Sequence, residues 1–149
     1  MTDDVTDDLT DDERRAANLA RMRAHFAALD VPDPDAVLAH LSDDFVFDLP
    51  FAPELAPFDR TAFEALIRHN AATYERHSTT MLEELPTVDP DVIVVRYDGD
   101  SRWAGGVPYV NRYVAIYRFR DGQITGITEF HNPKVVDEAR AATAASSTE

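Results

Sequence analysis

Hydrophobic residues along this chain recur first at helical spacing and then at strand spacing. Steps of three and four between residues 16 and 29 predict an amphipathic helix, which begins at a capping box, Thr10-Asp11-Asp12-Glu13, and ends near Asp30. A short second helix is predicted after Asp33-Pro34, and a third over 59–74. From residue 43 apolar and polar residues alternate, which predicts strands over 43–49, 79–85 and 92–102 and a final hairpin.

That hairpin occupies Tyr109 to Pro133 and turns at Asp121-Gly122. An Asp-Gly pair between alternating runs is a strong hairpin signal, because Gly tolerates the positive φ that the turn requires. Side chains alternate along a strand, so Ile127, Glu129 and His131 share a face. The sequence leaves two interpretations of Glu129 open: an acid at the rim of the sheet, or an acid directed into a cavity. On the opposite arm, one face is shared by Asn111, Tyr113, Ala115 and Tyr117.

The composition restricts the functional class. The length of 149 residues suits one domain, expected over 13–136, with an acidic tail at 1–12 and a C-terminal tail at 137–149. The net charge of −14 argues against nucleic acid and anionic membranes as partners. The chain has no cysteine, no targeting signal and no membrane-length apolar window, so we expect a cytoplasmic protein. Nucleotide-binding and metal-binding motifs are lacking, so no cofactor and no metal are expected.

Three segments carry a family resemblance. The run RYVAIYRFRDGQITGITEFHNP resembles the last two strands of SnoaL-like polyketide cyclases and phenazine-biosynthesis A/B proteins, in the NTF2-like, ketosteroid-isomerase-like superfamily. Asp43 to Pro53 is similar to the first strand and proline-rich loop of that family, and Asp59 to Tyr74 to its third helix. The resemblance covers about residues 12–136 and implies an α+β cone: three N-terminal helices packed on a strongly curved, mixed, mostly antiparallel sheet around one apolar pocket.

The resemblance also implies an enzyme with an acid/base carboxylate at Glu129. A carboxyl in an apolar cavity has its pKa moved toward neutrality, so it can both accept and donate a proton. We therefore expect a cofactor-independent isomerase or cyclase that acts on a small conjugated substrate, and a homodimer formed through an exposed sheet face that includes Val114, Ile116 and Phe119. The expected catalytic residues are Glu129, His131, Asp98 and Arg96, and the expected substrate-binding residues are Tyr113, Asn111, His69, Asn70, Asp48 and Trp103.

Two other functions remain open at this stage. Arg96, Asp98 and Glu129 are similar to the Asp-Arg-Asp set of limonene-type epoxide hydrolases, in which one carboxylate activates water and the other protonates the epoxide. The match is incomplete, since Val46 and Asp48 stand where a water-orienting Tyr and Asn are expected, and an ordinary Arg–carboxylate network would also explain the charges. NTF2-like domains also serve as non-catalytic ligand carriers or interaction modules, which predicts a cavity without catalytic groups.

Overall fold

The structure is a computed structural model that describes residues 9–146, so the acidic repeat at 1–8 lies outside the described part. Four helices and six strands make up the described chain. The helices are α1 (Asp11–Asp30), α2 (Pro34–Ala39), α3 (Arg60–Thr73) and α4 (Pro133–Ser146). The strands are β1 (Leu41–Asp48), β2 (Phe58–Asp59), β3 (Arg76–Pro86), β4 (Val92–Arg102), β5 (Pro108–Arg120) and β6 (Gln123–Phe130).

Helix α1 begins at the predicted capping box. Thr10 Oγ1 accepts a hydrogen bond from the Glu13 backbone N–H at 3.2 Å, and Glu13 Oε2 accepts one from the Thr10 N–H at 2.9 Å. The buried face carries Met22 and Phe26, as predicted. Ala16, expected on this face, is exposed, and Asn18 is buried instead, donating to the Pro90 carbonyl at 2.9 Å. This bond fixes α1 against the turn that leads into β4.

The six strands form one sheet in the order β2-β1-β6-β5-β4-β3. The β1–β6 pair is parallel and the other pairs are antiparallel, which confirms the predicted mixed, mostly antiparallel sheet. The β5–β6 hairpin turns at Asp121 and Gly122, whose φ angles are 51° and 78°. Positive φ at both positions is the backbone that the Asp-Gly pair predicts. Helices and sheet share one core, which includes Phe45, Phe63, Val95, Tyr117 and Ile124.

Two regions differ from the prediction. Helix α4 continues past residue 136, where the domain was expected to end, into the segment expected to be a C-terminal tail. It packs on β5 and buries Ala139. Phe119, expected on the exposed sheet face with Val114 and Ile116, is buried, because it shares the inward parity of Tyr117 on β5. Val114 is exposed as expected.

Candidate active site

The concave side of the sheet and the helices surround a cavity of about 990 Å³. Its size and its largely apolar wall suit a small organic ligand. Aromatic and aliphatic side chains contribute most of this wall, and polar side chains reach it from four strands, β3 to β6, and from helices α1, α3 and α4. The apolar lining includes Phe26, Phe47, Phe63, Ile67 and Ile127, and the polar lining includes Tyr97, Tyr109, Tyr113, Glu129 and His77.

Glu129 lies on the inner face of β6, opposite Ala115 of β5. Its Oε2 accepts a hydrogen bond of 2.5 Å from the Tyr97 hydroxyl. Burial raises the pKa of Glu129 from its ordinary value of 4.5 to about 7, and the Tyr97 hydrogen bond opposes this rise without cancelling it. Both protonation states are therefore populated near neutral pH, which is the condition for efficient general acid–base catalysis.

Three tyrosines extend the polar wall from Glu129. The Tyr97 ring stacks on Tyr113 with centroids 4.9 Å apart, and the Tyr113 hydroxyl bonds the Tyr109 hydroxyl at 3.2 Å. Burial raises the pKa of all three phenols, so they remain neutral donors. The Tyr113 hydroxyl uses its proton in the bond to Tyr109, so the proton of the Tyr109 hydroxyl is not used in that bond. The second proton of the Tyr109–Tyr113 pair can therefore be donated to a bound ligand.

Asn111 positions this tyrosine pair through a hydrogen bond to the Tyr109 hydroxyl. Its Nδ2 donates to the Tyr109 hydroxyl at 3.0 Å and to the Asn132 carbonyl at 3.0 Å, while its Oδ1 accepts from the backbone N–H groups of Arg112 and Asn132. The amide is buried and its bonds fix which end is the donor. Asn111 was predicted to bind substrate inside the cavity. It does not line the cavity, because these bonds direct its side chain to the chain segment after β6.

Six of the predicted site residues line the cavity, and their catalytic or binding roles stay predictions. Trp103 packs between Tyr109, at 4.8 Å, and Tyr74, at 6.2 Å between ring centroids. Burial and Arg140 lower the pKa of His131, which holds this imidazole neutral near neutral pH. The six lining residues are Tyr113, Glu129, His131, Trp103, His69 and Asn70.

The other predicted residues lie outside the cavity. Arg96 is on the outer face of β4 and pairs with Glu83 at 2.9 Å, and Asp98 is on the same face, 4.0 Å from Arg112. Their placement in the pocket was wrong, because strand alternation directs Tyr97, between them, inward. Asp48 was also misplaced. It borders a separate depression with Val46, Pro57, Arg118 and Thr128.

The sequence prediction missed a second polar cluster on the cavity wall. His77 of β3 has its Nδ1 2.6 Å from Ser101 Oγ of β4 and its Nε2 3.5 Å from Asp30 Oδ1 at the end of α1. Thr79 donates to Asp30 through its hydroxyl, at 2.8 Å, and its backbone N–H, at 3.2 Å. The available signal was alternation: extending the strand predicted over 79–85 two residues upstream places His77 on the same face as Thr79. All four residues line the cavity.

His25 is a further buried titratable group beside the cavity. Burial, followed by the nearby His40, lowers its pKa from 6.5 to about 3, although a backbone hydrogen bond involving Val37 opposes this. The imidazole is therefore neutral in the folded protein across the physiological pH range. Its edge contacts with Phe26 and Tyr117 are those of a core aromatic residue.

Over residues 9–146, no group of three or more His, Cys, Asp or Glu side chains is arranged to hold a metal ion. Within the same range, no helix has the length and apolar character needed to cross a membrane. Every group described above belongs to the chain itself.

Comparison with known proteins gives the family. The model of the SnoaL-like domain matches residues 22–127. The uncharacterized protein YesE of Bacillus subtilis (strain 168) is 29% identical over 102 residues, which cover 65% of this chain and 69% of YesE. A Bacillus subtilis crystal structure provisionally named an isomerase is similar with a TM-score of 0.76 at 22% identity, covering 89% of this chain and 96% of that one. The BvnE pinacolase of Penicillium brevicompactum is similar with a TM-score of 0.75 at 18% identity, over 87% and 98%. The matched residues span more than half of the sequence, and the chain belongs to the SnoaL-like domain family, with the NTF2-like fold.

Proposed function

We propose that this protein is a cofactor-independent enzyme that isomerises or cyclises a small conjugated carbonyl compound by proton transfer at Glu129. One observation carries the proposal: a carboxyl with a pKa of about 7 faces an apolar cavity and is held by the Tyr97 hydroxyl. The family supports an enzyme of this broad kind, since similar structures include the BvnE pinacolase and the Bacillus subtilis protein provisionally named an isomerase.

The proposed reaction begins with ionised Glu129, which takes a proton from the carbon next to the substrate carbonyl. Negative charge develops on the carbonyl oxygen, and the Tyr109–Tyr113 hydroxyl pair donates a hydrogen bond to this oxygen through its free proton. Glu129, now a neutral acid, returns the proton at a second carbon, or the enolate carbon attacks an electrophile in the same substrate and closes a ring. Each proton transfer uses groups of this chain on one cavity wall.

The epoxide hydrolase alternative receives less support from the geometry. It requires Arg96 to link Asp98 and Glu129 around one bound water. Arg96 and Asp98 lie on the outer face of β4, whereas Glu129 is on the inner face of β6. The two carboxylates therefore face opposite sides of the sheet. The carrier alternative predicts ligand binding without turnover, which the following experiment distinguishes.

The test measures exchange of α-protons for deuterium in a panel of simple enolisable ketones, including benzylacetone, by proton NMR in D₂O. The wild-type protein should accelerate exchange, and Glu129→Gln should lose about 10²–10⁴-fold, which is typical for removal of a general base. Glu83→Gln, a carboxylate on the outer face, is the matched control and should exchange at the wild-type rate. If the ketones bind in the cavity but their α-protons exchange no faster than in buffer alone, the result would contradict the proposal and favour a ligand carrier.

A further inference from the structure

A second group of proton-carrying side chains faces the cavity where the end of α1 meets β3 and β4. We call it the Asp30–His77–Ser101 cluster. His77 stands in the middle, 2.6 Å from Ser101 Oγ through Nδ1 and 3.5 Å from Asp30 Oδ1 through Nε2. Ser101 is 2% exposed and the other two side chains are partly buried, so the cluster is part of the cavity wall rather than of the outer surface.

The hydrogen bonds fix the direction of the cluster. Thr79 donates twice to Asp30, through its hydroxyl at 2.8 Å and its backbone N–H at 3.2 Å, which orients the carboxylate. His77 Nε2 lies 3.3 Å from Thr79 Oγ1 and 3.5 Å from Asp30 Oδ1. Both oxygens can accept a hydrogen bond, so the Nε2–H of His77 faces these two oxygens. The remaining nitrogen, Nδ1, faces Ser101. Burial lowers the pKa of His77, while Asp30 and Asp100 oppose this by stabilising the imidazolium.

The cluster and the Glu129 wall meet at Gly99. A methyl group built on Gly99 would lie 3.7 Å from the Tyr113 hydroxyl and 3.8 Å from His77 Cε1. The absence of a side chain at Gly99 lets the Tyr113 ring and His77 lie side by side on the inner face of β4. Tyr113, His77 and Glu129 line the same cavity, so one small ligand can contact all three.

An isomerisation does not need two proton-transfer centres, because one carboxyl can take a proton and return it. A separate donor is required when an oxygen must leave as water, since hydroxide is a poor leaving group. We propose that the Asp30–His77–Ser101 cluster donates a proton to a leaving hydroxyl, so that the cavity eliminates water from a β-hydroxy carbonyl compound. This inference rests on the proposed role of Glu129 and adds the substrate class and the second catalytic centre.

The step balances as follows. Glu129 carboxylate takes the proton from the carbon next to the carbonyl, and that C–H electron pair becomes the new carbon–carbon double bond. The bond from the β-carbon to its hydroxyl oxygen breaks, and this oxygen takes the Ser101 hydroxyl proton and leaves as water. His77, whose lowered pKa leaves it neutral near neutral pH, first takes a proton from solvent to form the imidazolium that Asp30 and Asp100 stabilise. It gives its Nδ1 proton to Ser101 at the same time as the C–O bond breaks. Proton exchange with solvent afterwards restores Glu129.

The test uses the aldol adduct of acetone and benzaldehyde, whose dehydration to benzylideneacetone is followed by absorbance and whose α-proton exchange is followed by NMR in D₂O. The wild-type protein should do both. In His77→Gln and Asp30→Asn the rate of dehydration relative to the rate of α-proton exchange should fall by about 10²–10⁴-fold, because Glu129 is intact. Ser101→Ala should lose dehydration as well, and Ser78→Ala, an exposed serine of β3, is the matched control.

The outcomes separate this inference from the proposed function. Dehydration that survives in both His77→Gln and Asp30→Asn would overturn the inference, and so would a wild-type protein that exchanges α-protons without eliminating water. In either case the proposed function of Glu129 stands. Loss in His77→Gln combined with full activity in Ser101→Ala would overturn the relay through Ser101. A wild-type protein that does neither reaction contradicts the proposed function and the inference together.

Discussion

Replacing Glu129 with Gln should remove the part of the pH dependence of folding stability that comes from the Glu129 carboxyl. Gln keeps the size of the side chain, and its amide oxygen can still accept the Tyr97 hydrogen bond, but it has no titrating proton. The wild-type carboxyl has an ordinary pKa of 4.5 when unfolded and about 7 when folded. Between these values the folded protein binds the extra proton, so the free energy of unfolding falls as pH rises through this window and is constant above it.

The size of the effect follows from the shift in pKa. A difference of one pKa unit corresponds to about 1.4 kcal/mol, so Glu129 destabilises the folded state by about 3 kcal/mol above both pKa values, and most of this destabilisation develops between about pH 5 and about pH 8. His25 acts in the opposite direction. Its pKa is lowered from 6.5 to about 3 on folding, so its contribution is fully present above 6.5 and is lost as pH falls toward 3.

The two residues therefore have opposite effects on the pH dependence of stability. From about pH 5 to about pH 8 the contribution of His25 to the free energy of unfolding increases by about 2 kcal/mol, while that of Glu129 decreases. Urea denaturation of wild type, Glu129→Gln and the control Glu83→Gln, at pH steps across this range, measures the difference. Between about pH 5 and about pH 8 the free energy of unfolding of Glu129→Gln relative to wild type should rise by about 2–3 kcal/mol, while the slope of this free energy against urea concentration stays unchanged. A relative stability of Glu129→Gln that is independent of pH would refute the assignment of a raised pKa to Glu129.

Three further predictions concern the site and the assembly. Tyr97→Phe removes the hydrogen bond that lowers the pKa of Glu129, so the acid limb of the pH–rate profile for ketone α-proton exchange should move to higher pH; an unmoved limb would contradict the coupling. Gly99→Ala places a methyl carbon 3.0 Å from Tyr113 Cε2, which should cost about 1–3 kcal/mol in urea denaturation and reduce exchange; a wild-type rate and stability would show that Tyr113 yields freely. We propose a homodimer through the outer sheet face, so light scattering at micromolar concentration should give twice the chain mass and Val114→Glu should give the monomer mass; a monomeric wild type would contradict it.

Local features of the fold were predictable from the sequence because short-range chemistry determines them. The Asp121-Gly122 turn depends on backbone sterics of two residues, and the Thr10 capping box depends on two side chains within one helical turn. Both features lie at the residues where the sequence predicts them. The N-caps at Asp33 and Asp59 follow the same logic, since each carboxylate accepts from a backbone N–H three residues along the chain.

The site was only partly predictable. Alternation divides the residues of a strand into two faces but does not say which face is inward, and Arg96 and Asp98 were assigned to the wrong one. On β4 the inner face is taken by Tyr97, whose ring packs in the core. Alternation could indicate the face of His77, but the Asp30–His77–Ser101 cluster as a whole could not be predicted from spacing, because its members lie on three elements and meet only through the tertiary fold.

The measurement that tests the central claim most directly is a titration of the Glu129 side-chain carboxyl by ¹³C NMR in protein labelled at glutamate. Comparison with Glu129→Gln assigns the resonance, and exposed glutamates in the same spectrum serve as internal references. The proposed proton transfer requires a pKa of about 7 for Glu129, which places both protonation states within reach at neutral pH. A Glu129 resonance that titrates near 4.5, the ordinary pKa of a glutamate carboxyl, would contradict the account.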